Sequence, residues 1–192
     1  LQDRGRLYRV LYYSKDPANV QKSTIQLEAS VAAYNTISEP KTKPIPDALP
    51  SELAFEVRAC PVIRKASAGS GTNDRGETRT WEAGDEMDAF LSQVWEGQDV
   101  DREEAYCSWL NRQIDLRGGA QIQASRMDRF SIETMMRRTQ SNGRSVRRMK
   151  RPDVTLSGMI SVTDSDRFVE MLYSGIGRHK SFGYGMLKIR PA

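Results

Sequence analysis

Residues 175–192 read Gly175-Ile176-Gly177-Arg178-His179-Lys180-Ser181-Phe182-Gly183-Tyr184-Gly185-Met186-Leu187-Lys188-Ile189-Arg190-Pro191-Ala192, with four glycines in eleven residues. Arg178, His179 and Lys180 stand between the glycine pairs. Glycine accepts φ > 0 and lets a second backbone come close. Such a loop can turn successive N–H groups toward a phosphate. Arg178 and Lys180 add charge, and His179 adds an imidazole able to give or take a proton. Beyond the loop, Tyr184, Met186, Lys188 and Arg190 alternate with Gly185, Leu187 and Ile189, which predicts a terminal strand. By glycine spacing alone the stretch also fits a plain Gly-rich turn before an edge strand.

The residues ahead of this loop supply the rest of a fold. Thr163 is positioned to cap a helix with Asp166 answering it, Phe168, Met171 and Leu172 form its buried stripe, and Gly175 stops it. Before it, Val154, Leu156, Gly158, Ile160 and Val162 alternate with Thr155, Ser157, Met159 and Ser161, a strand. Ala120 to Met136 alternates through Ile122, Ala124, Phe130, Ile132 and Thr134 as one long or broken strand. Gln140-Ser141-Asn142-Gly143 joins the two as a tight turn.

Further upstream, Asp101 to Leu116 predicts a helix capped by Asp101 with Glu104 three residues on. Tyr106, Trp109, Leu110, Gln113 and Ile114 form its stripe, and Gly118-Gly119 ends it. Asp85 to Trp95 predicts a short helix, with Met87, Phe90, Leu91 and Val94 at helical spacing, and Ala66 to Gly76 a mobile polar segment. Leu53 to Ala59 opens the unit as a strand. The order is β, α, β, β, α, β with strands near 53–63, 121–138, 148–162 and 184–190, the ferredoxin-like order.

In the N-terminal part, Leu7 to Tyr13 predicts a strand, Ser14 to Lys22 a turn, and Thr24 to Ala29 a returning strand. Tyr34 to Pro50 carries Pro40, Pro44, Pro46 and Pro50 and reads as an extended connector. The domain boundary falls near Leu49: residues 1–50 form a partial N-terminal domain with its connector, and residues 51–192 the C-terminal domain. The fold class is α+β.

Hydrophobic residues make up 38% of 192, enough for a modest core, and no apolar run approaches a membrane span. Leu1-Gln2-Asp3-Arg4-Gly5-Arg6 has no signal-peptide character. Cys60 and Cys107 make neither zinc spacing nor a disulfide framework and read as free thiols in a reducing cytoplasm. A single histidine builds no multi-His metal site, so no metal or other cofactor is expected.

The net charge of +4 conceals two segments of opposite sign. Residues 74–104 hold eleven carboxylates against three arginines and read as a solvated face or as a contact with a neighbouring subunit. Residues 120–151 hold nine cations against Asp128 and Glu133: Arg126, Arg129, Arg137, Arg138, Arg144, Arg147, Arg148, Lys150 and Arg151. Arginine dominates, which suits forked contacts to phosphates and guanine edges. Around the 140–143 turn these cations form either a ribbon that enters a groove or a solvated loop.

The pattern Gly-Ile-Gly-x-x-Lys-Ser-x-Gly-x-Gly-x-Leu, here Gly175 to Leu187, resembles the C-terminal glycine-rich loop of the CRISPR repeat-RNA endoribonucleases, in particular the CasE branch, the crRNA-processing subunit of type I-E Cascade. A shorter likeness lies in Phe55-Glu56-Val57-Arg58-Ala59-Cys60-Pro61-Val62, where Cys60 departs from the family's Arg-Ala-Asn-Pro pattern. The resemblance implies two ferredoxin-like domains in tandem, the N-terminal one incomplete here. It also implies metal-independent cleavage of pre-crRNA at the base of the repeat stem-loop. The protein would then stay on the crRNA 3′ hairpin beside other Cascade subunits, meeting target DNA only through the complex. On that comparison Arg178, His179 and Lys180 are the candidate catalytic residues. Arg58, the nine cations of 120–151, Gly175, Gly177, Ser181 and Gly183 are the candidate RNA contacts. The resemblance places the family's catalytic histidine, often with a tyrosine, in an N-terminal helix that this chain is expected to lack. Tyr8, Tyr12 and Tyr13 are available phenols that read first as strand residues. A non-catalytic hairpin-binding subunit is the alternative.

Overall fold

The computed structural model describes residues 11–16, 18–22, 44–46, 48–138 and 146–192. The chain divides into two compact units, Leu1–Ala48 and Leu49–Ala192. In the first, residues 11–16 carry no strand, and residues 18–22 are helical where the sequence predicts a turn. Asp16 explains the helix. Its Oδ1 accepts from the backbone N–H of Ala18 at 3.0 Å and Asn19 at 3.3 Å, the arrangement of an N-terminal cap. The expected strand at Thr24 to Ala29 lies outside the described residues, as do Leu7 to Val10 and the turn at 140–143.

The second unit is α+β. Its strands are β1 (Glu52–Ala59), β2 (Val62–Arg64), β3 (Gly69–Thr72), β4 (Thr78–Trp81), β5 (Glu86–Asp88), β6 (Ala120–Arg138), β7 (Val146–Val162) and β8 (Leu187–Pro191). The helices are α1 (Ala89–Trp95), α2 (Arg102–Asp115) and α3 (Ser165–Ser174), with a 3-10 turn at Lys180–Phe182. The main sheet runs β6-β7-β1-β8, every pair antiparallel. With α2 between β1 and β6, and α3 between β7 and β8, this is the ferredoxin-like arrangement. Alternation buries one sheet face: Leu53, Phe55, Val57, Val154, Leu156, Ile160 and Leu187 join Tyr106, Leu110, Ile114, Phe168, Met171 and Leu172. Each fully buried Val, Leu, Ile, Phe or Met side chain contributes about 1.5–3 kcal/mol of transfer free energy.

The sequence logic of α2 holds. Asp101 accepts from Glu104 N at 2.8 Å, and Gly118 and Gly119 leave the helix at φ 68° and 88°. Helix α3 is capped one residue later than the sequence suggests. Asp164, not Thr163, accepts from Arg167 N at 3.1 Å. The backbone N–H groups of Thr163 and Asp164 both donate to Gly119 O, which ties the end of α2 to the start of α3 and fixes that register. Met87 belongs to β5 rather than to a helix, and Asp88 caps α1 by accepting from Phe90 N at 2.8 Å.

Residues 66–76 are not a structureless segment. Gly69–Thr72 pairs with Thr78–Trp81 as a hairpin. It is seated by its glycines: a Cβ on Gly71 would collide with the Trp95 carbonyl. Strand β6 is continuous, with register shifts between Ile122 and Ala124 and between Met127 and Arg129. Only residues 154–161 of β7 pair with β1. From Ser131↔Asp153 to Arg138↔Val146 the β6–β7 pair runs on as a two-stranded ribbon, roughly 25 Å long at the usual rise per residue.

Candidate functional site

The glycine-rich loop begins where α3 stops. Gly175 has φ 68° and its N–H closes the helix on Met171 O at 2.8 Å. Ile176 is buried and its N–H donates to Gly185 O at 2.7 Å, while Gly185 N–H donates to Arg58 O at 2.8 Å. The first bond ties the two ends of the loop together, and the second anchors them on β1. They also explain why β8 starts at Leu187 and not at Tyr184: Gly185 turns at φ 84°, and Tyr184 is buried with Cys60, Val62 and Met135. Gly177 (φ 73°) passes so close to Trp109 that a Cβ would lie 2.8 Å from its ring. The tip is therefore exposed while its base is held. Arg178, Lys180, Ser181, Phe182 and Gly183 are exposed, and His179 is half-buried in the left-handed region at φ 59°.

Two side chains of the tip converge on one carboxylate. Arg178 Nε donates to Glu86 Oε1, and His179 Nε2 lies 3.0 Å from Glu86 Oε2. Arg151, at the base of the ribbon, donates through Nη2 to the same Oε2 at 3.1 Å. Burial acts to raise the Glu86 pKa. The Arg178 hydrogen bond and the charges of His179, Arg178 and Arg151 outweigh it and hold the carboxyl below its ordinary value. Lys180 is shifted down by burial and by the nearby Arg117 charge.

These groups line one cavity of about 870 Å³, bounded by Arg64, Gly84, Asp85 and Glu86, by Met149 and Arg151, and by residues 177–182. The glycine-rich loop and the foot of the ribbon thus share a single concave surface. Among the described residues no three His, Cys, Asp or Glu side chains converge as metal ligands.

The other sequence-predicted residues divide by environment. Arg58 makes a bidentate pair with buried Asp153 at 2.8 and 2.6 Å and lies 4.9 Å from the Tyr184 ring centroid. That hydrogen bond holds its guanidinium charged beyond the usual arginine range. Arg126 pairs with Asp128 at 2.9 Å. Arg129, Arg148 and Lys150 are exposed with no ion pair among the described residues. The backbone register sets Arg137 opposite Arg147 and Arg138 opposite Val146, whereas Arg144 lies outside the described residues. In the first unit Tyr12 is exposed, and burial raises the pKa of Tyr13.

Sequence reasoning missed Glu86, Asp153 and Trp109 as parts of this site. Glu86 was hidden among eleven carboxylates. The burial of its neighbours Met87 and Asp88, at 4% and 9% exposure, sets this strand apart from a solvated acidic face, but only the fold shows it.

A family profile described as CRISPR associated protein matches residues 1–191. Among solved structures, a CRISPR endoribonuclease Cse3 bound to a 19-nucleotide RNA aligns with a TM-score of 0.51 and 20% identity, over 78% of this chain and 61% of that one. A Thermus thermophilus Cse3 bound to an RNA representing a pre-cleavage complex aligns at 0.44 and 20%, over 78% and 59%. The CRISPR-associated protein Cas6e from Escherichia coli str. K-12 aligns at 0.43 and 18%, over 79% and 66%. The first likeness shows a shared fold. The chain spans about three fifths of the Cse3 chains it matches. No curated protein matches the sequence.

Proposed function

Since this chain belongs to the CRISPR associated protein family, we propose that it is a CasE-type endoribonuclease that cuts pre-crRNA at the base of the repeat stem-loop and stays on the 3′ hairpin within a Cascade complex. The supporting observation is the cavity shared by the ribbon foot and residues 177–182. A folded RNA gripped by the ribbon would present its stem base to Arg178, His179 and Lys180.

The reaction is a transesterification. The ribose 2′-oxygen attacks the adjacent phosphorus and gives its proton to a base, while the 5′-oxygen leaves and takes a proton from an acid. The products are a 2′,3′-cyclic phosphate and a 5′-hydroxyl. Arg178 and Lys180 would stabilise the charge that builds on the non-bridging oxygens, and His179 would serve in proton transfer. This chemistry needs no metal. The candidate contacts from Arg58, the cations of 120–151 other than Arg151, Gly175, Gly177, Ser181 and Gly183 are assigned to holding the RNA, while Arg151 stays on Glu86.

A second reading is a hairpin-binding subunit without cleavage. It is favoured by the engagement of both Arg178 and His179 with Glu86. Incubating a labelled hairpin repeat with the protein in EDTA and mapping the ends separates the two. A cut at the stem base leaving a cyclic phosphate is expected. Tight binding to RNA that stays intact would leave the binder, and no binding would remove both.

A further inference from the structure

Glu86 has no part in the reaction just described, yet it is the residue on which the loop and the ribbon meet. It lies on β5 opposite Arg64. One oxygen takes Arg178 and the other takes Arg151 and His179. These partners are not held equally. The side chains of Glu86, His179 and Arg151 are 16%, 12% and 17% exposed, whereas Arg178 is 46% exposed. Three members of the cluster are walled in, and Arg178 alone reaches them from solvent.

The charge of the cluster is unbalanced. One carboxylate answers two guanidinium groups before the imidazole is counted, and Arg64 and Lys180 border the same cavity. Asp85 also lies on its rim. A guanidinium presents the same fork of donors to a phosphodiester as to a carboxylate, so the two anions compete for it on equal geometric terms. The exposed partner is the one an incoming anion can take without opening the buried part of the cluster.

We propose that Glu86 is a positioning residue that holds Arg178 in the place of an RNA phosphate. A bound phosphodiester takes Arg178 over, while Glu86 keeps Arg151 and His179. This inference rests on the RNA reading above. It explains why a loop tip whose backbone is clamped only at its ends is not left to wander in the free protein. It also sets a cost on binding: affinity is reduced by the fraction of molecules in which Arg178 has left Glu86. Glu86→Gln removes the charge that retains Arg178 while keeping the side chain's size and one acceptor oxygen.

The test uses the full chain and a fluorescein-labelled hairpin repeat RNA, with affinity read by anisotropy for the wild type, Glu86→Gln, Arg178→Ala and the double variant. Glu86→Gln is expected to bind about three- to tenfold tighter. Arg178→Ala is expected to weaken binding more in the Gln background than in the wild type, because no ion pair is then lost on release. A purely structural Glu86 would give weaker binding and equal Arg178→Ala losses in both backgrounds, and that result overturns the proposal. A second readout avoids variants of Glu86. The Arg178 Nε–H resonance of the wild type, assigned by its disappearance in Arg178→Ala, is expected to move as RNA is added. A chain that binds the hairpin with that resonance unmoved overturns the role of Glu86 alone. A chain that binds no hairpin in any variant overturns the RNA reading, and this role with it.

Discussion

Replacing Gly177 by alanine tests how the glycine-rich loop is seated. Gly177 has φ 73°, and a Cβ there would stand 2.8 Å from Cη2 and Cζ2 of Trp109. That ring cannot swing aside. It is 4% exposed, and its Nε1 donates to Val62 O at 3.3 Å. The left-handed backbone costs an alanine about 1–2 kcal/mol. Forcing a methyl against a buried ring adds about 1–3 kcal/mol. The total is roughly 2–5 kcal/mol, a large part of a small domain's stability. Gly183 is the internal control. Its φ is 83°, but a Cβ there meets nothing within 4 Å, so Gly183→Ala carries only the backbone part. Urea unfolding of both variants should give a larger loss for Gly177→Ala by about 1–3 kcal/mol, at an unchanged m-value. Equal losses would refute the claim that Trp109 seats the loop. Where the loop yields instead of the ring, Arg178 and His179 move off Glu86. A misplacement of about 1 Å then costs cleavage on the order of a hundredfold.

Glu86 gives a pH prediction. Its folded pKa lies below the ordinary 4.5, so its contribution is complete above that value and is lost as pH falls through the depressed folded value. The melting-temperature difference between wild type and Glu86→Gln should therefore shrink on acidification below about pH 4.5; a difference that grows there contradicts the assignment. Burial pushes the Cys60 thiol up to about 12, so alkylation at pH 8 should modify Cys60 only on unfolding. Rapid labelling of the native protein at Cys60, read by peptide mass, would count against the packing of that cluster. Arg178→Ala with Lys180→Ala should slow cleavage far more than it weakens hairpin binding. Arg144, Arg147 and Arg148 changed together should do the reverse, and equal effects on both quantities would contradict this division of labour.

Helix α2 and strand β7 were legible because their signals are local and redundant. A cap, an apolar stripe and a glycine stop agree in α2, and strict alternation buries Val154, Leu156 and Ile160 in β7. The hairpin β3–β4 was not legible because Gly69–Thr72 and Thr78–Trp81 show no apolar alternation. What holds it is tertiary: Lys65 lies 4.4 Å from the Trp81 ring centroid, and Gly71 abuts the Trp95 carbonyl. The cap of α3 shifted by one because Thr163 and Asp164 are both capping residues, and the choice is made by bonds to Gly119, far away in sequence. The candidate site was legible in its cations and illegible in its carboxylates. A positive stretch declares a need for anions, but which acid answers which base depends on register. Asp153 and Arg151 sit two apart on β7, and their partners come from β1 and β5.

That pairing changes what the basic stretch can offer a polyanion. Of its nine cations, Arg151 is committed to Glu86 and Arg126 to Asp128. The pair at Arg126 is 75% exposed on the arginine side and exchanges readily, whereas Arg151 is 17% exposed. Arg151 therefore braces the ribbon foot against β5 and leaves the contacts to the residues beyond it, Arg148 and Lys150 among them. Counterion release counts phosphates neutralised, and each contributes about 0.7–0.9 to the log–log salt slope. With about six cations of ribbon and loop engaged, hairpin affinity should fall with a slope of roughly −4 to −5. Arg151→Ala should lower the ribbon's stability while leaving that slope nearly unchanged. A slope shallower by about one in Arg151→Ala would mean that Arg151 leaves Glu86 for the RNA, and that the brace and the contact are the same residue.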